Sequence, residues 1–202
     1  RIGYAADALG SDRNAMMLSA HAQNGWDYGR ERSLFVTTAA TARVEDDGLR
    51  NAVLSAEARF YARTSDNTKF FATVNGAVTE ALDANQQLLL GGEEGLRGYP
   101  LRYQAGTSRA LLTLEQRYYT GWYPFRLFHV AGAAFFDMGR TWGTDVTGAT
   151  SDGLLKDVGV GLRLGSSRSA FGNVVHIDLA FPLDGGDDID SVQFVVETKV
   201  RF

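Results

Sequence analysis

The chain has 202 residues, a formal net charge of −4, 45% hydrophobic residues and no cysteine. That length holds one domain or one all-β barrel, the acidic balance without a basic patch argues against nucleic acid as a partner, and the lack of cysteine removes thiol catalysis and thiolate metal sites. Mean hydropathy is −0.16, and no window approaches the ~18 consecutive apolar residues of a membrane-spanning helix. A membrane β-strand needs only ~10 residues with every second one apolar, so the composition leaves a barrel open. Residues 1–7 read as the tail of a strand, with neither an initiator methionine nor a signal-peptide pattern before them.

Taken in order, the segments alternate between an apolar and a polar face, the period of a strand. About residues 15–25 place Met16, Leu18, Ala20 and Ala22 opposite Ser19, His21 and Gln23. About 32–44, 51–63 and 68–80 repeat the pattern, with Leu34, Val36, Leu54, Phe60, Phe70 and Val74 on one face and Arg43, Glu57, Arg59, Tyr61 and Lys69 on the other. Short polar links such as Glu45-Asp46-Asp47-Gly48 and Ser65-Asp66-Asn67 suit tight turns. A long break then runs from about 81 to 105. The meander resumes with Ala110, Leu112 and Leu114 against Arg109, Glu115 and Arg117, then Phe136 and Met138 against His129, Ala133 and Asp137. Val158, Val160 and Leu162 oppose Asp157, Gly159, Gly161 and Arg163; Ile177 and Leu179 oppose His176 and Asp178; Phe194, Val196, Val200 and Phe202 oppose Gln193, Glu197 and Arg201.

The expected fold is an all-β, antiparallel, up-and-down transmembrane barrel of about nine or ten strands, treated as one domain over 1–202. Strands of ~11–13 residues exceed the ~5–6 of soluble sheets, and Trp26, Tyr28, Tyr118, Tyr119, Trp122, Tyr123 and Trp142 gather at strand ends. A soluble β-domain is the competing architecture, because alternation alone does not say which face meets water.

The break carries Gly91-Gly92-Glu93-Glu94-Gly95-Leu96-Arg97-Gly98-Tyr99-Pro100, too glycine-rich for a strand or helix. Leu96-Arg97-Gly98-Tyr99 resembles the [VL]-R-G-[FY] loop motif of the outer-membrane insertase and transporter superfamily that includes BamA, TamA and the two-partner-secretion transporters (TpsB), also called the bacterial surface antigen family. Phe135-Phe136-Asp137-Met138-Gly139 resembles its F-x-D-x-G signature, two strands after the loop. Val200 and the terminal Phe202 resemble the assembly signal that closes such barrels. The resemblance covers about residues 68–202.

The resemblance implies a barrel in the Gram-negative outer membrane that assists insertion or translocation of polypeptides. Its partners would be membrane lipid, unfolded outer-membrane or secreted polypeptides, POTRA domains absent from this stretch, and, for a short relative that closes by pairing, a second copy. The family barrel has about sixteen strands, so the chain reads as part of one or as a short relative. A passive pore is the alternative function. No enzyme activity and no cofactor are expected.

Arg97 is expected to fold inward with its loop and pair with Asp137, since a guanidinium fork fits a carboxylate through directional, charge-assisted bonds. Gly98 would let the backbone approach the wall and Tyr99 would pack against it; Gly139 completes the signature. Glu93 and Glu94 read as solvated acids, Glu115 and Arg117 as a ladder of lumen charges. His21, His129 and His176 fall on separate strands, and a metal site would need them to converge. Asp184, Asp187, Asp188 and Asp190 around Gly185-Gly186 read as an acidic turn rather than a calcium loop, because the spacing departs from D-x-[DN]-x-[DN]-G.

Overall fold

The computed structural model describes residues 1–6, 10–11, 14–83, 86–143, 153–166, 173–186 and 188–200. They form one ten-stranded antiparallel sheet and one small hairpin. The large sheet runs β1 (Ile2–Ala5), β2 (Ala15–Asp27), β3 (Arg32–Glu45), β4 (Gly48–Arg63) and β5 (Thr68–Glu80). The hairpin of β6 (Leu88–Leu90) and β7 (Gln104–Gly106) interrupts it. The sheet continues through β8 (Ser108–Tyr119), β9 (Phe128–Trp142), β10 (Leu155–Ser166), β11 (Asn173–Pro182) and β12 (Gln193–Val200). Every neighbouring pair is antiparallel and consecutive apart from the excursion between β5 and β8. Phe202 and Asp187 lie outside the described residues, as does the side chain of Val200.

The strands are long: β2 has 13 residues, β4 has 16 and β9 has 15. Their registers stack the apolar positions on one face. Val160 lies opposite Leu179, which lies opposite Phe194; Leu54 lies opposite Val78. These side chains are uncovered, Val160 at 53% exposure and Phe194 at 68%. A continuous bare belt of Val, Leu and Phe is far larger than a water-facing surface tolerates and is what a lipid-facing wall presents.

The core sits on the opposite face. Burial there alternates along β9, β10 and β11, and the excursion between β5 and β8 lies against it. Leu90, Leu96, Tyr99 and Leu155 form a small buried apolar cluster, with Tyr103, Leu111 and Ile189 packed around it. The sheet curls over this face: Arg30, before β3, and Asn173, at the start of β11, line one cavity.

The belt yields a direct test. Val160→Arg places a charge mid-strand on the outer face, where it costs ~2–4 kcal/mol if that face meets hydrocarbon and close to nothing if it meets water. Urea unfolding of the protein in bilayers should show the larger value.

Candidate functional site: a buried ionic latch

The excursion is fastened at both roots before it reaches its tip. At its start, the Asp83 carboxylate accepts from Arg43 Nη2 at 2.9–3.0 Å and from Asn51 Nδ2 at 2.7 Å, and the Asp83 N–H returns a bond to Asn51 Oδ1 at 2.6 Å. The hairpin is held by Arg109, which donates to the Leu89 carbonyl at 2.8 Å and to Asn75 Oδ1 at 3.1 Å. At its end, buried Gln104 accepts from the Thr141 N–H at 3.0 Å and donates to the Gly153 carbonyl at 2.9 Å.

The tip is built for close approach. Gly92–Glu94 form a single 3₁₀ turn in the glycine-rich stretch. Gly91 has φ 116°, and a Cβ there would lie 2.3 Å from the Pro100 carbonyl oxygen. Leu96 takes φ 62° although it is not glycine, a strained left-handed conformation that surrounding packing must hold. Its side chain is fully buried, and its carbonyl accepts from the Tyr99 N–H at 3.1 Å. That turn directs Arg97 at the wall.

Arg97 is 5% exposed. Its Nε and Nη2 form a fork onto Asp137 at 2.8 and 3.1 Å, while Nη1 donates to Glu115 Oε2 and to Asp178 Oδ2, both at 3.0 Å. Its guanidinium carbon lies 3.3 Å above the centre of the Phe135 ring. Three wall strands, β8, β9 and β11, therefore supply its carboxylates. β10 supplies Arg163, whose Nε and Nη2 bind Glu115 at 3.0 and 2.6 Å and whose Nη1 binds Asp178. Arg117 also donates to Glu115. Three guanidiniums thus interlock with three carboxylates, so no charge in the group lacks an opposite neighbour, the condition under which buried ions are tolerated. Burial opposes the charge on Arg97, but Asp137, Glu115 and Asp178 outweigh it and raise its pKa above the ordinary arginine value; it is a permanent cation.

Two neighbours complete the fit. The Gly98 N–H donates to Asp157 Oδ2 at 3.0 Å, and a Cβ on Gly98 would come within 2.6 Å of the Asp157 Cβ. Asp157 lies directly opposite Asp137 across the β9–β10 ladder, so two carboxyl groups face one another, the first taking the Gly98 amide and the second the Arg97 fork. Tyr99 donates its hydroxyl to the Lys156 carbonyl at 2.8 Å and accepts from the Asp184 N–H at 3.2 Å. Burial raises its pKa, so the phenol stays protonated and able to donate. Gly139 makes room for the hairpin: a Cβ there would meet Leu90 and the Ala110 carbonyl at 3.0 Å.

The structure brings Arg97, Gly98, Tyr99, Asp137 and Gly139 together around one contact zone. It also recruits residues that sequence reasoning left aside. Glu115 and Arg117 join the arginine cluster instead of standing as a separate ladder, and Asp178, Arg163 and Asp157 complete it. The recess that accepts them comes from Gly159 and Gly161 on β10: a Cβ on Gly159 would fall 2.2 Å from the Phe135 ring, and one on Gly161 would fall 1.8 Å from Asp178 Oδ1. The available signal was two glycines alternating on a polar strand face one step before an arginine, a pattern that marks close approach rather than a turn. Glu94 remains near the surface, 3.3 Å from Arg109. The histidines stay apart: His129 stacks on Tyr123 at 4.3 Å, His176 is buried beside Arg163, and His21 is exposed on β2.

Removing one partner from such a cluster strands the opposite charges, at a cost of about 3–5 kcal/mol. Arg97→Ala should therefore free the loop, read as new protease cleavage within 91–103, and Arg97→Lys should not restore protection because a lysine cannot reproduce the fork. Gly98→Ala, which must displace Asp157, should cost about 1–3 kcal/mol and open the same cleavage sites with every charge intact.

A family model described as the Omp85 superfamily domain matches residues 4–199. Among solved structures, CdiB from Escherichia coli is similar over 95% of this chain with a TM-score of 0.71 and 19% sequence identity. The chain spans 37% of the length of CdiB, and at that identity the likeness speaks to the fold. No curated protein matches the sequence. The matched span takes in the motif loop, the Phe135–Gly139 signature and all ten strands of the large sheet except the ends of the first and last. The chain belongs to the Omp85 superfamily.

Proposed function

We propose that this chain forms part of an outer-membrane barrel that assists insertion or translocation of polypeptides, with the segment about 81–105 acting as a latch in its lumen. The observation that carries the reading is the clasp of Arg97 by carboxylates from three wall strands, on the inner side of a sheet whose outer side is bare and apolar. A passive pore needs a lumen and a constriction. It does not need a loop tip whose cation, amide and phenol each have a separate acceptor in the wall.

The physical role of the latch follows from its composition. A cluster of ions in a half-dry lumen contributes little net stability compared with an apolar filling, but it accepts only one geometry. It therefore sets where the loop sits relative to β8, β9, β10 and β11 and keeps those strands in register. Because opening it costs several kcal/mol at once, the loop has two states, seated or released. A polypeptide entering the lumen can bias that choice only by offering competing charges or by moving the wall strands. Supporting partners in this reading are outer-membrane lipid, an unfolded polypeptide and POTRA domains.

The test pairs two assays on the full-length protein in liposomes. Insertion or export of a polypeptide should fall roughly tenfold or more in Arg97→Ala, a loss equivalent to at least ~1.4 kcal/mol, while ion conductance rises as the loop leaves the lumen. Wild-type protein that conducts ions but neither inserts nor exports any polypeptide would make it a passive pore and end the translocation reading.

A further inference from the structure

The latch occupies one end of the sheet. The opposite end, formed by the link preceding β3, the end of β4, the start of β5 and the far ends of β8 and β10, holds a second cavity of about 930 Å³. No part of the motif loop lines it. Its character differs from that of the latch zone. Arg30, Arg63, Lys69, Arg117 and Arg163 line it, and among the described lining residues Glu31 is the single acid.

Arg117 and Arg163 are engaged with Glu115. Arg63 reaches Asp66 at 3.0 Å, an exposed contact of the kind worth ~0–1 kcal/mol. The positive field of the mouth thus comes chiefly from Arg30, Arg63 and Lys69. Aromatic faces are interleaved with these cations: Lys69 Nζ lies 5.0 Å from the centre of the Tyr119 ring, Arg117 lies 4.2 Å from that of Phe71, and Tyr61 meets Phe71 edge-on at 5.3 Å.

At the back of this cavity stands His176. It is 3% exposed, lines both this cavity and the smaller one beside the latch, and neither ring nitrogen has a hydrogen-bond partner. Buried polar groups are nearly always satisfied, so an orphaned imidazole facing a roomy cavity marks a place where a ligand group belongs. Across the two ladders it stands between Arg163 on β10 and Glu197 on β12; Lys199 answers Glu197, so with Arg117 and Arg163 on the cavity side the balance of charge selects a partner that is itself negative: a carboxylate or another oxyanion. The volume exceeds that of a single small ion by a wide margin, since a water takes up ~30 Å³, and the aromatic walls suit a chain with apolar atoms between its charges.

We propose that this mouth is a binding site for an acidic polypeptide segment, with a Glu or Asp carboxylate reaching His176 and further acidic side chains meeting Lys69, Arg63 and Arg30. That the ligand is a polypeptide rests on the translocation reading above; that it is anionic rests on the mouth alone. Charges placed at an entrance act mainly on encounter and selectivity, so the site would favour acidic stretches arriving from the end opposite the latch.

The test uses full-length protein in lipid nanodiscs and a fluorescent peptide of alternating Glu and Ser, beside its Lys-for-Glu counterpart and inorganic phosphate. The acidic peptide should bind about tenfold or more tightly than the basic one, and its affinity should fall steeply with added salt. Lys69→Glu should weaken it by about tenfold. His176→Phe, which keeps the ring but loses both nitrogens, should weaken it several-fold, and both variants should keep the wild-type protease pattern of the loop. Equal affinity for the two peptides overturns the proposal, as does unchanged binding in both variants. Displacement of all bound peptide by phosphate at equal concentration would make this a small-anion site and overturn the polypeptide assignment. The two readings fail separately: peptide binding without insertion or export removes only the translocation reading, and transport without peptide binding removes only the acidic mouth.

Discussion

Everything that distinguishes this chain from a plain strand meander depends on keeping one guanidinium out of water. Arg97 is 5% exposed and Asp137 is 1% exposed; either one alone in that position would be prohibitive to bury. The solution is a closed set of partners in which Asp137 takes the fork of Arg97 and Glu115 and Asp178 each answer more than one arginine. Glu115 is the hinge of the set, accepting from Arg97, Arg117 and Arg163. Because the carboxylates come from β8, β9 and β11 and the second arginine from β10, the loop and four wall strands share a single electrostatic condition. Loss of Arg97 leaves Asp137 without its cation and removes one partner each from Glu115 and Asp178.

Glycine provides the space for that condition. On the loop, Gly91 and Gly98 allow the backbone to lie where a methyl group would strike Pro100 or Asp157. On the wall, Gly159 and Gly161 remove two side chains from the inner face of β10, and Phe135 and Asp178 fill the recess from either side. The Phe135 ring then becomes the floor on which Arg97 stacks, so the aromatic contributes both packing and a favourable cation–π contact. The arrangement explains a chemical asymmetry across the same sheet: one face is an apolar belt with nothing to satisfy, and the other concentrates its cost in a few buried ionic groups.

The two ends of the inner face complement each other. At the latch end, acids and arginines balance and only a small cavity of about 80 Å³ remains. At the far end, cations outnumber acids among the described lining residues and the space is open. His176 stands between them, adjacent to Arg163 across the β10–β11 ladder. An incoming acidic group at the open end would meet the arginines that also hold Glu115 and Asp178, which gives the mouth and the latch a shared set of side chains through which one could influence the other.

How much of this was legible beforehand follows from the range of each interaction. Strand alternation is local, so the inward and outward faces of β8 to β12 can be read from residues two apart, and so can the turn chemistry between them. The pairing of Arg97 with Asp137 was accessible only through the motifs, because the two are 40 residues apart and no periodicity links them. The remaining partners were not accessible at all. Asp178 lies 81 residues from Arg97, and its position beside Gly161 depends on the register of β10 against β11, which a single-residue slip would reverse. By itself, the sequence determined that this is an antiparallel, two-faced all-β chain with one inward-pointing candidate loop. Only the tertiary structure decided that the loop's arginine is shared among three strands, because the identity of its partners is set by inter-strand register and by the glycine recess, both of which exist only once the sheet has formed.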